Sequence, residues 1–280
     1  MNSDQFKSFT PKNETLKKYI STIYFHQSEH IQAIEKIVFF PNTHNALTIY
    51  KNATCELKSS KPKHIRIKNH SNDNYLFFYG GIQSNYVVSE IYSPFDKIGI
   101  VFKPLGINYF FKKPNLGKSV QNNFCFPEIE EEMMPIVDSI YQTDNIEKRL
   151  DMLEEFFLNR FNSSFNESDL SKAIEAIEFS NGTLKVGEIA EMLNIAHKTL
   201  IRKFKKHLNC TPKQYSKVYK FRRALSNYQK NKKLTNLAID INYYDQSNFI
   251  REFKDLTGIK PSVFFKNIQY LGHDIYWFKF

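Results

Sequence analysis

The chain has 280 residues, 41% hydrophobic and 15% aromatic, with a formal net charge of +10. That length accommodates two domains that each bury a core, and no run approaches the roughly 18 apolar residues needed to cross a membrane. Cys55, Cys125 and Cys210 are odd in number and far apart, which argues against a disulfide framework or CxxC metal site and fits a reducing cytoplasm. The polar opening, Met1 to Lys18, lacks the apolar stretch of a signal peptide. Twenty-six Phe and 16 Tyr are more than a surface carries, so most of them belong inside.

The first hundred residues read as strands. Ile37 to Phe40 stops at Pro41-Asn42, and Ala46 to Tyr50, His64 to Lys68, Tyr75 to Tyr79, Tyr86 to Tyr92 and Lys97 to Lys103 follow at short spacing. Gly80-Gly81 reads as a turn within one strand pair. The pattern predicts an antiparallel sandwich or small barrel. From Pro127 the period changes. Met133, Ile136, Val137 and Ile140, then Leu150, Leu153, Phe157 and Phe161, fall at helical spacing and predict a helical pair that closes a first domain over residues 1–162. The polar stretch 163–169 reads as a linker. Asp169 or Ser168 is expected to cap a helix to Phe179, ended by Asn181-Gly182. Helices continue to about Asn267 in an all-α domain over 170–268, followed by an aromatic tail over 269–280. The fold class is therefore α+β.

Charge and repetition both concentrate in the second domain. Residues 166–280 carry about +9 of the charge, and the 48 residues between Glu191 and Asp240 hold 13 Lys and Arg and no acid. A stretch without internal counter-charge is the footprint of a phosphate-binding surface. Within it, Leu200-Ile201-Arg202-Lys203-Phe204-Lys205 is followed by Pro212 and Tyr215. Forty-nine residues on, Phe249-Ile250-Arg251-Glu252-Phe253-Lys254 is followed by Pro261 and Phe264. Each copy reads as helix, turn, helix: Val186 to Leu193, then His197 to His207; and Leu234 to Ile241, then Asp245 to Leu256. Ala190 and Ala238 are small where the helices cross, and Asn194 and Asn242 tolerate positive φ in the turns. A helix of about Pro212 to Gln229 joins the units and spans roughly 27 Å, against roughly 34 Å for one turn of B-DNA.

With Leu200, Phe204, Phe249 and Phe253 inward, the outward faces carry His197, Lys198, Ile201, Arg202 and Lys205, and Gln246, Ser247, Ile250, Arg251 and Lys254. Arg and Lys bond guanine acceptors, Gln bonds adenine, and Ile meets a thymine methyl. A phosphate or salt-bridge role competes for the two arginines, and burial against a neighbouring helix competes for the two isoleucines. His197, Lys205, Lys217, Lys220, Arg222, Arg223 and Lys254 suit phosphate contacts or a solvated surface.

Asp245-Gln246-Ser247-Asn248-Phe249-Ile250-Arg251-Glu252-Phe253-Lys254, then Gly258 and Pro261, resembles the signature of the AraC/XylS family of bacterial transcription regulators. The first unit, Ile189-Ala190 through Leu200, Arg202, Phe204 and Pro212-Lys213-Gln214-Tyr215, is similar too. The chain departs from the family at Asn194, Asn242 and Asn209, where Gly is usual, and at Ala196, where a capping Ser is usual. The resemblance implies base reading by Lys198, Ile201, Arg202, Gln246, Ser247, Ile250 and Arg251. It implies double-stranded promoter DNA and RNA polymerase as partners, activation as the commoner outcome, and an N-terminal domain, cupin-like in many members, that binds a small-molecule effector, forms a homodimer, or both. The stretch Gly99 to Phe110 resembles a motif in one branch of the family.

No enzyme signature competes. GxSxG, P-loop and dinucleotide-binding glycines are missing, and His30, His44, His64 and His70 lack metal-ligand spacing. Alkylation-repair enzymes that share the DNA-binding fold use cysteine motifs that this sequence lacks. The expectation is a cytoplasmic protein with no catalytic residue, metal site, cofactor or membrane partner. Glu128, Glu130, Glu131 and Glu132 suit a helix start.

Overall fold

A computed structural model describes residues 4–29, 33–58, 63–70, 74–83, 85–111, 127–228, 237, 243, 245–272 and 275–278. The chain divides into two compact units. The first comprises 1–36, 44–81 and 89–166; the second comprises 37–43, 82–88 and 167–280.

Among the described residues, nine strands form two sheets: β1 (Asp4–Phe9), β2 (Ile20–Ser28), β3 (Ile34–Phe39), β4 (Asn45–Lys51), β5 (Ala53–Lys58), β6 (Lys63–Asn69), β7 (Tyr75–Gly80), β8 (Val87–Tyr92) and β9 (Phe95–Phe102). The five-stranded sheet runs β1-β2-β9-β4-β7 and the four-stranded one β3-β8-β6-β5. The expected β-rich region is present, with two differences. β1, β2 and β5 were not legible as strands, and β2 lies inside its sheet, paired with both β1 and β9. Its alternation is blurred because both faces are buried, so polar Thr22, His26 and Ser28 are as enclosed as Ile23 and Phe25. Gly80-Gly81 is not a hairpin turn either: β7 and β8 belong to different sheets.

A short helix, α1 (Glu14–Lys17), precedes β2, and α2 (Pro127–Tyr141) and α3 (Ile146–Arg160) form the expected helical pair. One face of the larger sheet packs on that pair: Ile23, Phe25, Leu47, Ile49, Phe77, Ile98 and Phe102 meet Met133, Val137, Ile140, Leu150, Leu153 and Phe157 in one core. Burying each of these side chains contributes on the order of 1.5–3 kcal/mol. Glu132 of the acidic run pairs with Arg160 of α3. Arg149, almost fully buried, donates to Asp96 at 3.2 Å and to the Thr143 carbonyl at 2.6 Å, so its charge is matched inside.

The opposite face of that sheet is also enclosed. It carries Tyr24, His26, Tyr50 and Lys97. Burial, then the charges of Tyr24, Glu35 and Cys55, hold the Tyr50 hydroxyl well above its ordinary pKa. Burial, reinforced by the Lys97 charge, pushes His26 down to about 3. At Gly99, opposite Tyr24 in the ladder, the tyrosine ring fills the space where a Cβ would stand.

The second unit holds α4 (Ser168–Phe179), α5 (Val186–Met192), α6 (His197–Leu208), α7 (Pro212–Tyr228), α8 (Gln246–Thr257), α9 (Pro261–Asn267) and the hairpin β10 (Ile268–Gly272) and β11 (Ile275–Phe278). The tail therefore begins as an antiparallel pair. α4 starts earlier than expected, and neither Ser168 nor Asp169 caps it. Glu167 takes the cap position and makes no side-chain cap bond, because its carboxylate is engaged elsewhere. Asn181 and Gly182, both at positive φ, end the segment as expected, with Gly182 N–H donating to the Ile177 carbonyl at 2.7 Å. Among the described residues no helix is long and apolar enough to cross a membrane.

Candidate nucleic-acid interface

The 49-residue repeat maps onto two equivalent substructures. In each, a helix with two inward aromatic or aliphatic residues is followed by a helix that begins with a buried proline: α6 and Pro212 of α7, then α8 and Pro261 of α9. Leu200 and Phe204 are fully buried, and Phe249 and Phe253 nearly so. Proline suits the first turn because that turn has no intrahelical use for its N–H.

In the first unit, Ile189 and Ala190 of α5 are buried beneath α6, and Asn194 takes φ 50° in the turn between them. The left-handed conformation expected of Asn194 is present. Asn209 adopts it too, at φ 55°, as the C-cap of α6. Ala196 stands at the N-cap and offers no side-chain acceptor, as expected. Sequence reasoning found Gln214 as a family residue without its physical role. Gln214 Oε1 accepts from Thr211 N at 2.8 Å and Thr211 Oγ1 accepts from Gln214 N at 3.2 Å, a reciprocal cap that starts α7.

In the second unit, Asp245 caps α8 by accepting from Asn248 N at 2.6 Å, and Gly258 ends it at φ 71°. Phe253 is the hub: its ring centroid lies 5.2 Å from Phe221, 5.0 Å from Phe264 and 5.4 Å from Phe265. Phe40 joins the same cluster, 4.7 Å from Phe264. The helix expected over 234–241 and the turn residue Asn242 lie outside the described residues, except Leu237, which is fully buried.

All but one of the expected contact residues of α6 and α8 fall on the open faces. His197, Lys198, Arg202 and Lys205 of α6 are exposed, and so are Gln246, Ser247, Ile250, Arg251 and Lys254 of α8. Ile201 is half-buried, whereas Ile250 is 37% exposed among polar neighbours. Arg251 donates to Asn248 Oδ1 at 3.2 Å, a bond that limits the rotamers open to its guanidinium.

The joining helix, 17 residues long, is less uniformly available. Lys217, Lys220, Arg222 and Arg223 are all half-buried. Lys217 lies 3.5 Å from Asp255, and Lys220 Nζ sits 5.4 Å from the centre of the Tyr243 ring. Tyr243, which sequence reasoning gave only to the turn, itself meets Phe249 edge to face, with ring centroids 5.3 Å apart.

The acid-free stretch is therefore not without counter-charge. Its partners come from outside it. Lys203 Nζ lies 2.6 Å from Glu167 and 3.5 Å from Asp169, and His207 Nε2 lies 3.1 Å from Glu167. Burial raises the Glu167 carboxyl, but the Lys203 hydrogen bond and the charges of His207, Lys203 and Lys206 outweigh it and hold the group below the usual carboxylate range. Burial pushes His207 down against the opposing pull of Glu167. Glu167 read as one polar residue of a linker; only its acidity at a helix start hinted at more.

Residues 189–267 match the family model described as a helix-turn-helix domain. No curated protein matches the chain. Among solved structures, ToxT from Vibrio cholerae is similar at 13% identity over 93% of this chain and 97% of that one, with a TM-score of 0.43. ToxT bound to (E)-4-(8-methylnaphthalen-1-yl)but-3-enoic acid gives 13% identity, 93% and 97% coverage, and a TM-score of 0.38. Wild-type ToxT from strain SCE256, bound to an unsaturated fatty acid, gives 12%, 94% and 96%, and 0.40.

Proposed function

With an AraC-type helix-turn-helix region at its C-terminus, the domain of DNA-binding transcription regulators, we propose that this chain reads promoter DNA by placing α6 and α8 in successive major grooves. The observation that carries the reading is the repeated contact row. Two helices of equal length, anchored by equivalent buried pairs, expose cations and hydrogen-bonding groups at equivalent positions. α7 spans about 26 Å at 1.5 Å per residue, which suits heads that enter one face of a duplex a turn apart.

In this reading Lys198, Ile201 and Arg202 read one half-site and Gln246, Ser247, Ile250 and Arg251 the other. His197, Lys205, Lys254 and the α7 cations Lys217, Lys220, Arg222 and Arg223 face phosphates. Exposed Ile250 favours contact with a thymine methyl, since an apolar side chain left open on a polar helix face gains by meeting one. Half-buried Ile201 favours a larger packing share. The chain is further proposed to act in the cytoplasm as an activator that recruits RNA polymerase, with the β-rich domain taking a small-molecule effector, a second copy, or both.

The test is footprinting on a duplex that the wild-type chain enriches from a random pool. The expected footprint covers about two helical turns with two unlike half-sites. A footprint with two identical half-sites contradicts the assignment of different readers to α6 and α8.

A further inference from the structure

We propose that Glu167 is a positioning residue for DNA reading, fixing the rotation of α6 from the point where the chain enters the DNA-binding domain; this rests on the function proposed above. The carboxylate accepts a hydrogen bond from Lys203 at 2.6 Å, and its other oxygen lies 3.1 Å from His207 Nε2. These residues are four apart, so they form one row along α6. Arg202 and Lys198 stand on another face of the same helix and are exposed. A group that grips one row at two points resists roll, which a single contact does not. Roll is the coordinate that matters here, because it moves the outward side chains across the base edges.

Further observations point the same way. The clamp is enclosed, with the Glu167 side chain 19% and the His207 side chain 8% exposed, so its bonds are less screened than a surface pair. Glu167 gives up side-chain capping of α4 while it holds α6. Its backbone carbonyl still accepts from Ser171 N at 3.0 Å, so the same residue starts α4 and grips α6. Asp169 adds a second acid 3.5 Å from Lys203, and Lys206 adds a cation nearby. In the second unit position 252, matching Lys203, is Glu, and its carboxylate meets the Tyr243 hydroxyl instead of an acid. The clamp belongs to the uncapped head, where Ala196 leaves α6 without a side-chain N-cap. It substitutes rigidity along the helix for rigidity at its end. Displacement of the linker at Glu167 then alters α6 and leaves α8 unchanged.

The experiment compares full-length wild type, Glu167→Gln and Lys203→Gln on three duplexes: one enriched by the wild-type chain from a random pool, and two altered in one or the other half-site. Simple electrostatics and the clamp predict opposite signs for Glu167→Gln. Removing an acid near a basic surface tightens binding to every duplex alike. Loss of the clamp weakens binding to the enriched duplex about tenfold, the scale of one charge-assisted hydrogen bond. It also erases discrimination at the α6 half-site while discrimination at the α8 half-site persists. A general loss of fold lowers both together. If Glu167→Gln does not fold, Lys203→Gln carries the same test from the other side of the pair. Equal tightening, or equal loss at both half-sites, overturns the proposal. If the wild-type chain enriches no sequence, DNA reading itself fails and the clamp's role fails with it.

Discussion

Asp245 accepts the backbone N–H of Asn248 at 2.6 Å, whereas Ala196, at the same place in the first unit, accepts nothing. An N-cap acceptor is worth about 1 kcal/mol. Asp245→Ala is therefore expected to destabilise the domain by about 1 kcal/mol, and Ala196→Ser to stabilise it by about 0.5–1 kcal/mol, in urea unfolding. Equal effects of alanine and serine at position 196 contradict the cap assignment.

Arg251 and Asn248 share a hydrogen bond on the open face of α8. Arg251→Ala is expected to weaken specific binding by about 1–3 kcal/mol and to relax one base position. Asn248→Ala is expected to cost less, because it removes only the restraint on the guanidinium. Equal loss for Arg251→Ala on every sequence moves the residue to the phosphate class.

Lys205 and Lys254 are exposed on the outward faces of α6 and α8. Each substitution to Gln is expected to lower affinity uniformly across sequences. Each should also reduce the slope of log affinity against log salt by about 0.9. Lys203→Gln should leave that slope nearly unchanged, since its charge is already matched by Glu167.

His26 couples the β-rich unit to pH. Its folded pKa, about 3, lies below the ordinary 6.5 because burial and then Lys97 disfavour the cation. The unfolded chain takes up this proton below about pH 6.5 while the folded chain stays neutral. The stabilisation is complete above pH 6.5 and is lost as pH falls towards 3, at up to about 1.4 kcal/mol per pH unit. His26→Phe is expected to flatten the dependence of urea midpoint on pH in that window. An unchanged slope assigns the acid sensitivity to another group.

The second domain was the more legible. Its helices follow from the spacing of Leu200 and Phe204 and of Phe249 and Phe253, because each exposes one face to water and buries the other. Asn194, Asn209 and Asp245 announce their turns and caps through side chains with few local alternatives. The first domain hid what it buries on both sides. β2 carries Thr22, His26 and Ser28 inward against a polar inter-sheet face, so the alternation that marks a half-exposed strand never forms. Glu167 was illegible for another reason: its partners lie 36 and 40 residues away, and no local pattern records a long-range ion pair.

The central claim is that α6 and α8 together read sequence. Its most direct measurement is a competition gel shift at physiological salt, with a labelled duplex enriched by the wild-type chain competed by itself or by random DNA. The account predicts that random DNA competes at least about a thousandfold less well. Equal competition by random DNA leaves a purely electrostatic binder and contradicts the account.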